Sequence, residues 1–278
     1  MNPAVKFADL HLHTLFSDGT YSPFELISES RKAGLSAIAV VDHDTVEAIS
    51  PTIEIAKIEN IEVLSGIELS AEYENAEIHI LGYLIDYKNK ALLERLEALK
   101  KNRINRVYKI VDKLKDMGIT LNPQDVFDIS GQGTVGRLHI ARALVSEGKV
   151  SSVFEAFQKY LGDNAPCYVL GFKFSPNEAI KLIKDTGGIP VLAHPYTLHN
   201  DDLILKFIDY GLMGLEVYYP EHSQSMINAY LNLAKKHNLL VTGGSDCHGN
   251  AKPDIRIGSI KIPYELVESL KVAKDKLL

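Results

Sequence analysis

Residues 9 to 13 read Asp-Leu-His-Leu-His. On an extended strand alternate side chains share a face, so His11 and His13 point together while Leu10 and Leu12 point into an apolar layer. Two imidazoles on one face can grip a cation. Alone, an HxH in a chain of ten histidines is weak evidence, and a pair of structural histidines explains it as well. The other chemistry-bearing residues shift that balance by their position. Asp42-His43-Asp44 follows the apolar run 37–41, His194 follows Val191-Leu192-Ala193, and Asp246 and His248 follow the run 241–244. In α/β barrels and open α/β sheets, sites assemble at the carboxyl ends of strands. Glu68 and His79 sit within runs that otherwise read as buried. A buried carboxylate or imidazole without a partner is costly, and one metal ion is a partner for several at once. The pattern therefore points to a metal centre.

The elements that must hold these residues alternate. Val5–Leu10, Ala37–Val41, Ile61–Leu69, Ile78–Leu84, Ile189–Ala193, Gly214–Val217 and Leu239–Thr242 read as strands. Ser22, Pro23 and Glu25 supply an N-cap, a first-turn proline and a capping-box carboxylate, and Gly34 a stop; Ser175, Pro176 and Glu178 repeat this before Gly187 and Gly188. Alternating β and α units imply a largely parallel sheet. One stretch departs from the pattern: Leu92, Leu96, Leu99, Val107, Ile110, Val111 and Leu114 recur at helical spacing. Residues 88–172 read as a helical insertion, with 1–87 and 173–278 forming the body.

Composition narrows the classes. The 278 residues are 46% hydrophobic and 24% charged, enough to bury a sizeable core. No apolar run approaches the roughly 18 to 20 residues that span a bilayer, and no secretory pattern is evident at the start, so a cytoplasmic protein without a membrane role is expected. Cys167 and Cys247 cannot form a disulfide framework and suggest no zinc ribbon. A net charge of −6 argues against a generally basic, nucleic-acid-coating surface. Yet residues 88–115 hold ten Lys or Arg against three acids. That segment either faces an anionic substrate or is a solvated helix face with its own ion pairs.

Asp9-Leu-His11-Leu-His13-Thr, Ser17-Asp18-Gly19, Asp42-His43-Asp44, Gly66-Ile-Glu68, Ala193-His194-Pro195 and Gly244-Ser-Asp246-Cys-His248 resemble, in order, the motifs of the PHP (polymerase and histidinol phosphatase) superfamily, over about residues 7–262. The resemblance implies an α/β fold, a distorted (β/α)7 TIM-like barrel with a helical insertion, and a trinuclear site. One cation would be held by His11, His13, Glu68 and Asp246, a second by Glu68, His79 and His194, and a third by Asp18, His43 and His248, with Glu68 bridging. Imidazole and carboxylate without thiolate admit Mn, Fe, Zn or Co, and manganese is placed first among the two or three divalent cations. A metal-activated hydroxide would attack phosphorus in line, without a side-chain nucleophile. Asp44 and His222 are candidates to take part in the reaction, although Asp44 also reads as a solvated loop residue or helix N-cap.

Within the superfamily, the length, the insertion and Gly136-Arg137-Leu-His139 resemble phosphoesterases acting on nucleoside 3′,5′-bisphosphates and short 5′-phosphorylated RNA. The expected partner is thus a phosphorylated small molecule, a nucleotide or short RNA, with no obligate protein partner evident. The spacing Gly131-x-Gly133-x-x-Gly136 imitates a dinucleotide fingerprint, but Glu155 falls in a helical run rather than after a second strand, so the glycines read instead as a loop presenting Arg137 and His139 to a phosphate. Arg137 bracing the insertion is the structural alternative. Rival functions are a histidinol-phosphate phosphatase and a non-catalytic, metal-braced module that binds RNA or a polymerase.

Overall fold

The computed structural model describes residues 5–74, 76–131, 133–162, 164–171 and 174–277. Eight strands, β1 (Phe7–Leu12), β2 (Ala37–Val40), β3 (Glu62–Tyr73), β4 (Ala76–Tyr83), β5 (Ile189–Leu192), β6 (Gly214–Tyr218), β7 (Leu240–Gly243) and β8 (Ile262–Pro263), form one sheet ordered β7-β6-β5-β4-β3-β2-β1-β8. Helices α1 (Pro23–Lys32), α2 (Ile49–Glu59), α3 (Lys90–Asp116), α4 (Pro123–Ser130), α5 (Arg137–Ser146), α6 (Val153–Ala156), α7 (Pro176–Asp185), α8 (Asp202–Asp209), α9 (Gln224–His237) and α10 (Glu265–Asp275) are interleaved with them. The residues group into two compact units, 1–93 with 173–278, and 94–172.

The first unit is a distorted (β/α) barrel. Its sheet nearly closes, because His13 N donates to Cys247 O (3.1 Å) and Asp246 N to His11 O (2.9 Å), tying the end of β1 to the chain beyond β7. β1–β2, β2–β3, β5–β6 and β6–β7 pair in parallel, while β4 runs against both β3 and β5. Only two residues separate β3 from β4, too few for the crossover a parallel pair needs. The short β8, absent from the sequence reading, pairs antiparallel with β1. Both capping boxes form, at Ser22 with Glu25 and at Ser175 with Glu178. Such caps are worth about 1 kcal/mol each.

Strict alternation fails on β1. The register slips between Asp9 and Leu12, a bulge that sets two residues against one on β2. Leu10 therefore packs with Ala8, Ala39, Tyr83 and Val191, whereas Leu12 packs with Leu26, Ile27, Ile38 and Cys247 against α1. The two leucines do not share a layer as the sequence suggested.

The second unit has a conventional apolar core. Val107, Ile110 and Leu114 of α3 pack with Val126 of α4 and Ile140, Ala143 and Leu144 of α5. The helical run expected at residues 153–161 is α6 continued by a π-helical turn, Phe157–Leu161. Among the described residues, no helix is long and apolar enough to cross a membrane.

Candidate metal centre

Three sharp exits from strands present the site. Asp44, His194 and Asp246 have φ of 52°, 28° and 54°, in the left-handed region that a Cβ disfavours. Such positions cost of order 1–3 kcal/mol each and persist where the surroundings over-determine them. Gly244 lies two residues before the third. A Cβ there would lie 2.3 Å from His11 N and 2.4 Å from His11 Cβ, so only glycine lets the chain after β7 reach the β1 histidines.

Around this mouth the structure gathers all six site histidines and three carboxylates proposed from the sequence. His11 Nε2 and His13 Nε2 are 3.1 Å apart, and Asp246 Oδ1 is 3.4 Å and 3.1 Å from them. Glu68 Oε2 is 3.3 Å from His11 Nε2, 3.2 Å from His13 Nε2 and 3.4 Å from His43 Nδ1. Its Oε1 lies 2.9 Å from His79 Nδ1 and 3.2 Å from His194 Nε2. Glu68 and His79 meet because β3 and β4 pair Glu68 with Leu81 and Ser70 with His79, leaving the two as diagonal neighbours on one face. Asp18 Oδ1 is 3.2 Å from His248 Nε2 and 3.7 Å from His13 Nδ1. Three ligand-competent groups result: His13, Asp18, His43 and His248; His11, His13 and Asp246; His43, Glu68 and His79.

These spacings suit ions. Two ligand atoms about 2.1 Å from one cation and roughly at right angles lie about 3 Å apart. Hydrogen bonding also turns the lone pairs inward. His11 Nδ1–H donates to Glu216 Oε1 (2.8 Å) and His248 Nδ1–H to Asp246 O (2.8 Å), leaving each Nε2 free to bind. His13 Nδ1 and Asp18 Oδ1 are buried with no hydrogen-bond partner among the described residues. A divalent cation answers all of these features together, and the clustered sets make a multinuclear divalent-metal site.

Electrostatics agree. Burial alone would raise Glu68, but His43, His11 and His79 outweigh it and hold the carboxyl well below its usual range. Burial raises Asp246 and Asp18 too, and the histidines facing them win again: His11 and His13 for Asp246, His43 and His248 for Asp18. Conversely, burial pulls the imidazoles down, yet Glu216, Glu68 and Asp246 lift His11 well up, Asp246 and Glu68 lift His13 to about 9, and Glu68 lifts His79 to about 10. For His43 burial prevails, lowering it to about 4. The negative charge that lifts these imidazoles is the charge that bound cations would meet.

A second set of buried acids supports the first. Glu216, fully buried on β6, joins His11 to the backbone, its Oε2 accepting from His194 N (2.8 Å). Asp9 accepts from Ser245 N, Ser245 Oγ, His11 N and Gly258 N. Burial still raises it to about 6 against those bonds. Asp42 accepts from Thr14 N, Thr14 Oγ1 and Ser17 Oγ. Tyr219 OH and Lys252 Nζ each donate to Asp246 Oδ2 at 2.8 Å. Glu216, Tyr219 and Lys252 were missed in the sequence. Glu216 carried a usable signal, a lone acid within an apolar strand, the same signal that marked Glu68.

Asp44 is buried, and its Oδ1 accepts from Ser70 N (2.9 Å). It is neither a solvated loop residue nor the cap of α2, whose N-cap is Ala48. His222 donates Nδ1–H to Val217 O (2.8 Å), and its ring is 5.2 to 5.4 Å from those of Tyr196, Tyr219 and Tyr230. Its buried Nε2 has no hydrogen-bond partner among the described residues. Cys247 packs under the site, in contact with Ile255 O.

In the second unit, Gly136 is the N-cap of α5. His139 is buried, and its Nδ1 accepts from Gly136 N (3.1 Å). Arg137 Nη1 donates to Leu161 O (3.1 Å), with its guanidinium over the rings of Phe157 and Tyr168. Arg103, Arg106, Arg137 and Gly136 line a cavity of about 10 Å³. Gln132, within the glycine loop, lies outside the described residues. Glu155 is engaged by Ser151 and Lys159, not poised for a ribose.

Barrel and ligand sets define a metal-dependent phosphoesterase. A family model for the PHP domain matches residues 9–164. Among known proteins, the chain is similar to a 5′-3′ exoribonuclease of Haemophilus influenzae, 34% identical over 87% of this chain and 90% of that one. It is likewise similar to a 3′,5′-nucleoside bisphosphate phosphatase of Chromobacterium violaceum, 31% identical over 86% of each. A solved structure of a proposed metal-dependent phosphoesterase from Bifidobacterium adolescentis superposes with a TM-score of 0.85 at 31% identity, covering 98% of this chain and 97% of that one. The chain belongs to the PHP family.

Proposed function

We propose that the protein hydrolyses phosphate esters of nucleotides, either nucleoside 3′,5′-bisphosphates or short 5′-phosphorylated RNA. The observation that carries this reading is the convergence at one barrel mouth of eight ligand-competent side chains in three groups, with His194 against Glu68 as a ninth, in a chain whose relatives include an exoribonuclease and a bisphosphate phosphatase. We assign His11, His13, Glu68 and Asp246 to one cation, Glu68, His79 and His194 to a second, and Asp18, His43 and His248 to a third, with manganese the native metal. When bound, the cations acidify water and draw charge from phosphoryl oxygens. The chain's own part is to aim the lone pairs. Glu216 fixes the tautomer of His11, and Thr197 Oγ1 lies 3.4 Å from His194 Nδ1. Asp44, anchored to β3, orients the reacting groups. His222, kept neutral by burial, offers Nε2 as a proton acceptor. Arg137, with His139 bracing its helix, holds the phosphate that is not cleaved. Three guanidinia beside the N-terminus of α5 supply positive charge of the kind that attracts a phosphate.

The test is phosphate release from adenosine 3′,5′-bisphosphate, a short 5′-phosphorylated RNA and histidinol phosphate, each with Mn, Fe, Zn and Co. Preference for a nucleotide substrate is expected. Preference for histidinol phosphate would replace this reading, and absence of hydrolysis with every metal and substrate would favour a binding module.

A further inference from the structure

Asp246 divides its two oxygens. Oδ1 faces the His11 and His13 nitrogens, while Oδ2 accepts from both Tyr219 OH and Lys252 Nζ, each at 2.8 Å. Steadying one oxygen needs only one donor, and Tyr219, 6% exposed, is the rigid one. Lys252 differs. Its side chain is 42% exposed, and among the described residues it is the one lysine or arginine ion-paired with Asp18, Glu68 or Asp246. An ammonium carries three N–H donors, of which Asp246 takes one. The backbone beneath it is held in place: Lys252 N donates to Gly249 O (3.2 Å), Asn250 N to Thr20 Oγ1 (2.8 Å), and Thr20 N to His248 O (3.1 Å). A flexible stem on an anchored turn thus puts a cation at the rim, one carboxylate's width from the ligand nitrogens.

We propose that Lys252 binds the phosphoryl group undergoing hydrolysis, donating to a non-bridging oxygen while Tyr219 keeps Asp246 in place. Buried imidazoles cannot supply this contact, since their lone pairs are directed at cations. A mobile ammonium approaches a tetrahedral anion as a point charge and needs no fixed fork. The inference rests on the metal-centre assignment above and is independent of which nucleotide is cleaved.

The probe is inorganic phosphate, titrated calorimetrically into metal-loaded protein and, in parallel, used as a competitive inhibitor of p-nitrophenyl phosphate hydrolysis. Lys252→Met keeps the length of the stem and removes the charge. Phosphate affinity and kcat/KM are expected to fall ten- to a hundredfold, as for loss of one charge-assisted bond, with metal content and thermal midpoint unchanged. Lys252→Arg should keep phosphate affinity within a few-fold of wild type. Unchanged phosphate affinity in Lys252→Met would overturn the proposal. So would a loss of metal that accounts for the whole fall in activity, which would make Lys252 only a support for Asp246. Wild-type protein that is metal-loaded and active yet blind to phosphate would also overturn it, whereas wild-type protein that binds no metal would instead undo the centre itself.

Discussion

The barrel unit and the helical unit handle buried polarity in opposite ways. In residues 94–172 the core is apolar, and the buried His139 is used up locally, accepting from the N-cap of its own helix. In the barrel, nine ionisable side chains converge on one another, and a further set, Asp9, Asp42 and Glu216, accepts from backbone and hydroxyl donors and, at Glu216, from the outward-facing Nδ1–H of His11. The contrast separates two kinds of buried acid. Glu68 and Asp246, set among the clustered imidazoles, are held well below their usual range, while burial raises Asp9 and Asp42, whose oxygens accept from N–H and O–H donors. The first kind is poised to bind cations, and the second to hold the scaffold of the first.

The sharpest way to break the comparison is Glu68→Gln, which keeps the shape and removes one charge from the residue reaching five histidines. If several kcal/mol of transition-state stabilisation depends on the cations it holds, activity should fall by roughly a thousandfold, with less than full metal by elemental analysis. Near wild-type turnover with full metal would remove Glu68 from the centre. Glu216→Ala tests the supporting layer. Losing the acceptor of His11 Nδ1–H should weaken metal binding about ten- to a hundredfold in a chelator competition. Unchanged affinity would show that His11 is aimed by packing alone.

Much of this division was legible in the sequence, for a physical reason. Polar residues following apolar strands at 42–44, 194 and 246–248 are improbable unless something pays for their burial, and the structure brings them together. The strands around them were readable from β-rich runs, and the two capping boxes from Ser-Pro-x-Glu. What escaped was whatever depends on pairing rather than pattern. The bulge that separates Leu10 from Leu12 arises from the register of β1 against β2, and the reversal of β4 from a two-residue connection. Lys252 gave no signal, since a loop lysine is ordinary until its acceptor is known.

In the helical unit the comparison sharpens at Arg137. The chain there is built from ordinary helix packing, so its contribution should be to selectivity and not to chemistry. Arg137→Ala should lose about tenfold or more in kcat/KM on a nucleoside bisphosphate, the worth of roughly 1.5 kcal/mol for a hydrogen bond to a charged group. Hydrolysis of p-nitrophenyl phosphate, which has no second phosphate, should change little. Equal losses on both, or a matching drop in Tm, would assign Arg137 to bracing Leu161 and the aromatic rings beside it.

The smallest expected effect concerns the surface of α3. Lys100 and Lys101 are exposed, and Lys101 lies 3.5 Å from Glu97, an exposed pair of the kind that contributes little to stability. If their charge matters, it acts at long range, by raising the encounter rate of an anionic substrate. Such steering is screened over about 10 Å at 0.1 M salt but reaches about 30 Å at 0.01 M. Replacing both with Gln should therefore lower kcat/KM on short RNA by about two- to threefold at the lower salt, with the difference closing as salt rises. The small monoanionic ester bis(p-nitrophenyl) phosphate, with far less charge to steer, should show less. A loss independent of salt would mean direct contact with substrate. No loss at any salt would leave α3 a solvated face, and the division between the two units would then rest on Arg137 alone.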